Sequence, residues 1–266
     1  RGYPGWHIEC SAMSMKYLGE TLDIHTGGED HLFPHHEDEI AQSEGATGKP
    51  FVNFWVHKKH ILVNGEKMAK SKGNFYTIPD LEKREYAPLV YRFFILSNHY
   101  RSQTNFTFEK MDEAKNQLNR LIEFKERLEK ITKDKDESED VKKVLKETHK
   151  NFEKYINDDL NIPKALDEIF EMIKKINKIA DADNLTKKDS QKALNFLKKF
   201  DEVLAILDYK PRKTKIDENE VKKLIAERNK ARKEKNFKQA DEIRQKLLDM
   251  GIEIKDTDKD TEWKVK

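Results

Sequence analysis

The chain has 266 residues, of which 38% are charged and 36% hydrophobic, with 10 Gly and 7 Pro; this suits helix-rich globular protein of about two domains and excludes sandwich-like or collagen-like composition. Because 52 Lys and Arg face 50 Asp and Glu, the net charge is only +2, so any basic surface must be local. A single cysteine, Cys10, excludes an internal disulfide framework and fits a reducing compartment, while no apolar run approaches the roughly 18 residues of a membrane span; a cytoplasmic location without membrane attachment is expected.

Residues 1 to about 80 mix Gly, Pro, His and aromatics with short apolar runs, Leu22-Asp23-Ile24 and His60-Ile61-Leu62-Val63, which read as strands of an α/β region. The opening residues contain no initiator Met and run straight into a motif, so an internal start with further protein upstream is expected. From about residue 81 the pattern becomes helical, with Leu118, Leu121, Ile122, Phe124 and Leu128 at helical spacing. Lys133 to Asp140 holds no apolar residue and reads as a solvated loop, after which helices resume to about residue 207. The break Asp208-Tyr209-Lys210-Pro211-Arg212-Lys213 separates a final module, with a helix from about Asn219 to Met250, a turn near Asn236, and the strand-like Ile252-Glu253-Ile254 after Gly251. The expected domains are thus 1–80, 81–210 and 211–266.

Three clusters carry chemistry. Cys10, His35 and Glu39 offer a thiolate, an imidazole and a carboxylate, all good zinc ligands. Pro34 suggests a helix start, and His35 and Glu39 at i and i+4 share a helical face; a buried small thiol with ordinary polar histidines is the alternative. His25-Thr26-Gly27-Gly28-Glu29-Asp30 places paired glycines at a strand end, where backbone approaches a nucleotide and a carboxylate can bind ribose hydroxyls; a plain Gly-rich turn is the other reading. Lys67-Met68-Ala69-Lys70-Ser71-Lys72-Gly73-Asn74 is a basic loop able to clamp a polyphosphate, or a solvated charge run.

The order of these clusters, with Gly5-Trp6-His7-Ile8-Glu9-Cys10-Ser11-Ala12-Met13 before them and Phe33-Pro34-His35-His36-Glu37-Asp38-Glu39-Ile40-Ala41-Gln42-Ser43 between them, closely resembles the cysteinyl-tRNA synthetases. Lys67-Met68-Ala69-Lys70-Ser71 is similar to the class I signature Lys-Met-Ser-Lys-Ser. The resemblance implies an α/β fold, the C-terminal part of a Rossmann-like class I catalytic domain, followed by an all-α helical bundle and a small C-terminal anticodon-binding module. It implies one zinc ion on Cys10, His35 and Glu39 with a further cysteine ligand upstream. It also implies ATP, with magnesium, held by Gly27, Gly28, Asp30 and Lys70, catalytic lysines Lys67 and Lys70, and Trp6 and His7 lining the amino-acid pocket. Cysteine, ATP and tRNA(Cys) are the implied partners, and a monomeric complete form is expected.

The companion signature His-Ile-Gly-His is absent from the sequence, so this chain alone is not expected to aminoacylate. Ala69 replaces the signature serine yet keeps both lysines, and Lys58-Lys59 stand where the family often has a glycine. Arg228-Asn229-Lys230-Ala231-Arg232-Lys233 and Ala240-Asp241-Glu242-Ile243-Arg244 resemble the family's anticodon-binding end. Arg232, Asp241 and Arg244 are candidate readers of base edges, Phe237 a stacking platform, and Asp256 a further contact. A solvated helix with ion pairs is the competing account. Asp258-Lys259-Asp260 departs from the family's Pro-Gln-Gly. Two other functions compete: a ligase joining cysteine to a small-molecule amine, which needs no helical tail, and a non-catalytic tRNA-binding fragment.

Overall fold

The structure, a computed structural model, describes residues 5–210, 218–234, 236–249, 252–256 and 261–265. The described chain packs as two compact units, Arg1–Tyr209 and Lys210–Lys266.

The first unit opens with α1 (His7–Leu18), which ends at Gly19, where φ is +97° and the backbone N–H caps the Met15 carbonyl. A βαβ unit follows. Strand β1 (Leu22–Gly28) crosses over through α2 (Glu37–Thr47) to β2 (Val52–Lys58), and the strands pair in parallel from Leu22 opposite Val52 to Gly28 opposite Lys58. Parallel pairing requires such a crossover, and it brings both carboxyl ends to one edge. Pro34 does not open α2: Leu32–His36 forms a π turn in which Phe33 is extended, and α2 begins at Glu37.

Strands β3 (Ile61–Val63) and β4 (Glu66–Lys67) form a hairpin around Asn64-Gly65, both at positive φ, the pairing a tight two-residue hairpin demands. Strand β5 (Thr104–Phe106) adds in parallel to β3, and the Asn105 side-chain oxygen accepts the Gly65 N–H at 2.7 Å. Three residues carry too little period for the sequence to announce β5, which lies in a stretch read as helical. Between β4 and β5 come α3 (Ile78–Lys83), closed by a Thr77/Asp80 capping box, and α4 (Pro88–Leu96).

Helices α5 (Phe108–Glu129), α6 (Glu139–Ile156), α7 (Ile162–Asp181) and α8 (Lys187–Leu204) form the bundle. All five apolar positions of the α5 stripe are buried. One core runs from Val63 and Phe106 through Leu118, Ile169 and Ile176 to Leu204, each large side chain contributing roughly 2 kcal/mol or more by burial. The charged loop before α6 is tied to the start of α8. Asp189, with 0% exposure, accepts the Thr186 hydroxyl at 2.7 Å and the backbone N–H groups of Thr186 and Ser138 at 3.1 and 3.0 Å.

The second unit comprises α9 (Glu218–Lys233), α10 (Phe237–Asp249) and the antiparallel pair β6 (Ile252–Asp256) and β7 (Thr261–Val265). The turn expected near Asn236 divides the span read as helical into two helices, and Asn236 caps α10 by accepting the Gln239 N–H at 3.3 Å. Val221, Leu224, Ile225, Leu247, Ile252 and Ile254 form its core, with Trp263 packed against them. Among the described residues no helix is long and apolar enough to cross a membrane.

Candidate active site and tRNA-reading residues

Two sites adjoin the β1–β2 layer. The first gathers ligands from α1, α2 and the turn between them. Cys10 lies one turn into α1 from His7, while His35 is the penultimate residue of the π turn and Glu39 occupies the first turn of α2. Ligand atoms of Cys10, His35 and Glu39 lie within 4.8 Å of one another. Glu39 is 1% exposed and His35 8%. His35 Nε2 stands 3.4 Å from Glu39 Oε1, and the edge of a zinc tetrahedron with bonds of about 2.1 Å is about 3.4 Å. The donor set and spacing therefore fit zinc. Two other triads, His25 with His36 and Glu39, and His31 with His35 and His36, meet the same spacing.

Histidines and tryptophans surround this cluster. His25 Nε2 is 2.8 Å from Glu39 Oε2, His7 Nδ1 is 2.5 Å from His35 Nδ1, and His36 Nδ1 is 2.8 Å from His57 Nε2. Trp6 sets its ring edge-on 5.0 Å from His35, and Trp55 stacks on His25 at 4.6 Å. Trp6 and His7 thus border the ligand cluster. Burial pushes the Cys10 thiol up, and the neighbouring Glu39 adds to it. Burial holds His35 below the usual imidazole range, and burial with the charges of His25 and His57 takes His36 down to about 4. Neutral imidazoles are the form that ligates metal. His25, His36, Trp55 and His57 were not singled out from sequence. The signal for His25 and His36 was their place beside the ligands in the motifs, whereas Trp55 and His57 are brought in only by the parallel register.

The second site is a cleft of about 710 Å³ at the carboxyl ends of β1 and β2, the edge where open α/β sheets bind ligands. Thr26, Gly27, Gly28, Lys58, Lys67 and Tyr91 are among the residues lining it. A Cβ on Gly27 would meet the His36 ring at 2.5 Å, so only glycine lets that imidazole approach the backbone. Asp30 faces His60 Nε2 at 3.4 Å, and His60 lines the cleft.

The basic loop is stitched by Asn74, which accepts the Ala69 N–H at 2.8 Å and donates to the Lys67 carbonyl at 3.2 Å. Lys67 faces the cleft, whereas Lys70 is exposed with its ammonium 5.4 Å from the Phe75 ring. Ala69 sits at the N-terminal cap of the turn Lys70–Lys72 and offers no side-chain cap, the hydrogen bond a serine there supplies.

In the second unit, Phe237 is 62% exposed at the start of α10. Asp241 and Arg244, four and seven residues on, share its face and are exposed. Arg232 is exposed near the end of α9, while Arg228 is buried at 4% and Asn229 donates to Thr261 at 3.1 Å, bracing α9 on β7. Asp256 ends β6 with its side chain outside the described part, and residues 257–260, including Asp258-Lys259-Asp260, lie outside the described residues, as do Pro211-Arg212-Lys213.

Three family models match the chain: the tRNA synthetases class I (C) catalytic domain over residues 1–116, the DALR domain over 151–208, and the cysteinyl-tRNA ligase anticodon binding domain over 218–263. The cysteine–tRNA ligase of Brachyspira hyodysenteriae is 44% identical over 271 residues, covering 100% of this chain and 57% of the relative. That of Protochlamydia amoebophila is 42% identical over 99% of this chain and 55% of its own length. That of Thermodesulfovibrio yellowstonii is 45% identical over 100% and 58%. A solved LeuRS–tRNA–LeuAMS ternary complex from Agrobacterium radiobacter shares the fold, with TM-score 0.54 and 16% identity over 70% of this chain and 26% of that one. The chain spans a little over half the length of the curated relatives it matches. Ligand cluster, glycine-lined cleft, basic loop and matched helical tail follow in one order, and the chain belongs to the cysteinyl-tRNA synthetase family.

Proposed function

We propose that this chain supplies part of the catalytic centre and the tRNA-reading region of a cytoplasmic cysteine–tRNA ligase. The reaction joins cysteine to ATP, giving cysteinyl-adenylate and pyrophosphate, and then moves the cysteinyl group to the terminal ribose of tRNA(Cys) with release of AMP. The observation that carries this reading is the juxtaposition of Cys10, His35 and Glu39 with the cleft lined by Gly27, Gly28 and Lys67: a cluster of zinc-type ligands lies beside a basic cleft with room for a nucleotide.

Cys10, His35 and Glu39 would hold zinc, which would supply a site that favours a thiolate over the hydroxyl of serine, a poor ligand at neutral pH. Such discrimination reaches ~10⁴, about 5.5 kcal/mol, beyond what a methylene-sized pocket difference provides. Trp6 and His7 border the side-chain pocket. Gly27 and Gly28 let backbone approach the adenylate, and Asp30 accepts from ribose hydroxyls. Lys67 and Lys70 neutralise charge building on the phosphates, with magnesium, during adenylyl transfer. In the second unit, Phe237 stacks on an unpaired base while Arg232, Asp241, Arg244 and Asp256 address base edges and backbone. The match of residues 218–263 to an anticodon-binding model favours tRNA over a small-molecule amine as acceptor.

The test titrates the zinc-loaded chain with cysteine and with serine, following the fluorescence of Trp6 and Trp55 beside the cluster. Saturable quenching by cysteine and none by serine at the same concentration is expected. Equal responses to both amino acids would refute the selectivity.

A further inference from the structure

Lys58 is the last residue of β2, opposite Gly28 at the end of β1. Its side chain lines the cleft beside those of Lys59, Lys67, Tyr76, Tyr91 and Tyr100, and it is half-buried. Among the described residues it has no carboxylate partner. Its cleft neighbour Lys67 belongs to the loop whose charge the motif explains, and Lys72 of that loop is already paired with Glu66 at 2.9 Å. Lys58 belongs to no motif. A cation withdrawn from water without a counter-ion is unfavourable unless an anion completes the site. The strand paired with its own presents Gly27 and Gly28, which carry no side chain of their own, and the Asp30 carboxylate that a Cβ on Gly28 would meet faces His60 Nε2 at 3.4 Å and makes no ion pair with Lys58.

We propose that Lys58 is a phosphate-binding residue of this cleft, acting on the polyphosphate of the bound nucleotide independently of the Lys67–Lys72 loop. The inference rests on the nucleotide reading given above and sharpens it. Strand β2 fixes where Lys58 starts, so its ammonium is presented from a rigid element, while Lys67 reaches the same cleft from a different strand, β4. Two cations on separate elements then flank one anion, a geometry that a loop alone does not supply. Burial, which lowers the Lys58 pKa, has the sign expected of an ammonium that lacks its counter-ion; a bound phosphate reverses it.

The test measures binding of magnesium-ATP, adenosine and inorganic pyrophosphate to the 266-residue chain by calorimetry, for the wild type, Lys58→Met, Lys58→Gln and Lys58→Arg. Methionine keeps the apolar stem, so the cleft keeps its shape. The expected result is a loss of at least about tenfold in affinity for ATP and pyrophosphate in the Met and Gln variants, from one charge-assisted contact. Adenosine affinity should stay unchanged within about twofold, and arginine should restore most of the loss. Parallel weakening of ATP and adenosine would assign Lys58 a role in cleft structure and overturn the proposal. So would unchanged binding of ATP and pyrophosphate, or a wild-type chain that binds no anion. Lys58-dependent binding of pyrophosphate by a chain that takes up neither ATP nor adenosine would uphold the anion site while sinking the nucleotide reading.

Discussion

Replacing Cys10 by serine isolates one ligand of the metal cluster with little collateral damage. Cys10 is half-buried on α1 and lies outside both hydrophobic cores, so folding of the bundle should be untouched. Structural zinc sites bind with roughly 10–16 kcal/mol shared over four ligands, about 3 kcal/mol for each, and 3 kcal/mol is roughly a hundredfold in affinity. Zinc affinity of Cys10→Ser should therefore fall about a hundredfold, read by competition with a chromophoric chelator. The sign of the pH dependence follows from the thiol: burial and then Glu39 push its pKa up from the ordinary thiol value, so it must lose a proton to bind metal as thiolate. Wild-type affinity should rise by up to tenfold per pH unit between about pH 6 and 8, and this slope should shrink in the serine variant. His36→Ala is the decisive companion, because His25, His36 and Glu39 form an alternative triad. Loss of zinc in His36→Ala with normal affinity in Cys10→Ser would place the metal in that triad and refute the reasoning.

Other outcomes follow from single contacts. In a chain carrying the complete catalytic domain, Lys70→Ala should slow adenylate formation by roughly a hundredfold, about 3 kcal/mol, while leaving cysteine affinity unchanged; an unaltered single-turnover rate would remove Lys70 from the phosphate site. Asp189→Ala strips three hydrogen bonds from a buried node and should destabilise the first unit by about 3 kcal/mol in urea unfolding; a shift below about 1 kcal/mol would contradict the accounting. Phe237→Ala should weaken binding of a tRNA anticodon stem-loop by about 1–3 kcal/mol without altering thermal stability, since the ring is 62% exposed; equal affinity in a filter-binding assay would dismiss the stacking role.

Sequence by itself determined the elements whose signal is local. The α5 stripe Leu118, Leu121, Ile122, Phe124 and Leu128 was legible because helical periodicity repeats within one segment, and every member is buried. The meeting of Cys10, His35 and Glu39 was legible because their residue types are distinctive and the motifs holding them are dense, and the turn near Asn236 because its side chain caps the next helix. Tertiary structure decided whatever depends on which strands lie side by side. β5 joins β3 across some 40 residues, a pairing with no trace in a three-residue run. The parallel register of β1 and β2 sets His57 opposite Gly27 and Lys58 opposite Gly28, delivering His57 to the histidine cluster and Lys58 to the cleft. The β3–β4 hairpin puts Lys67, and not Lys70, on the lining of that cleft. The physical reason is that side-chain identity is written locally, whereas burial, charge pairing and ligand geometry are properties of neighbours that only folding brings together.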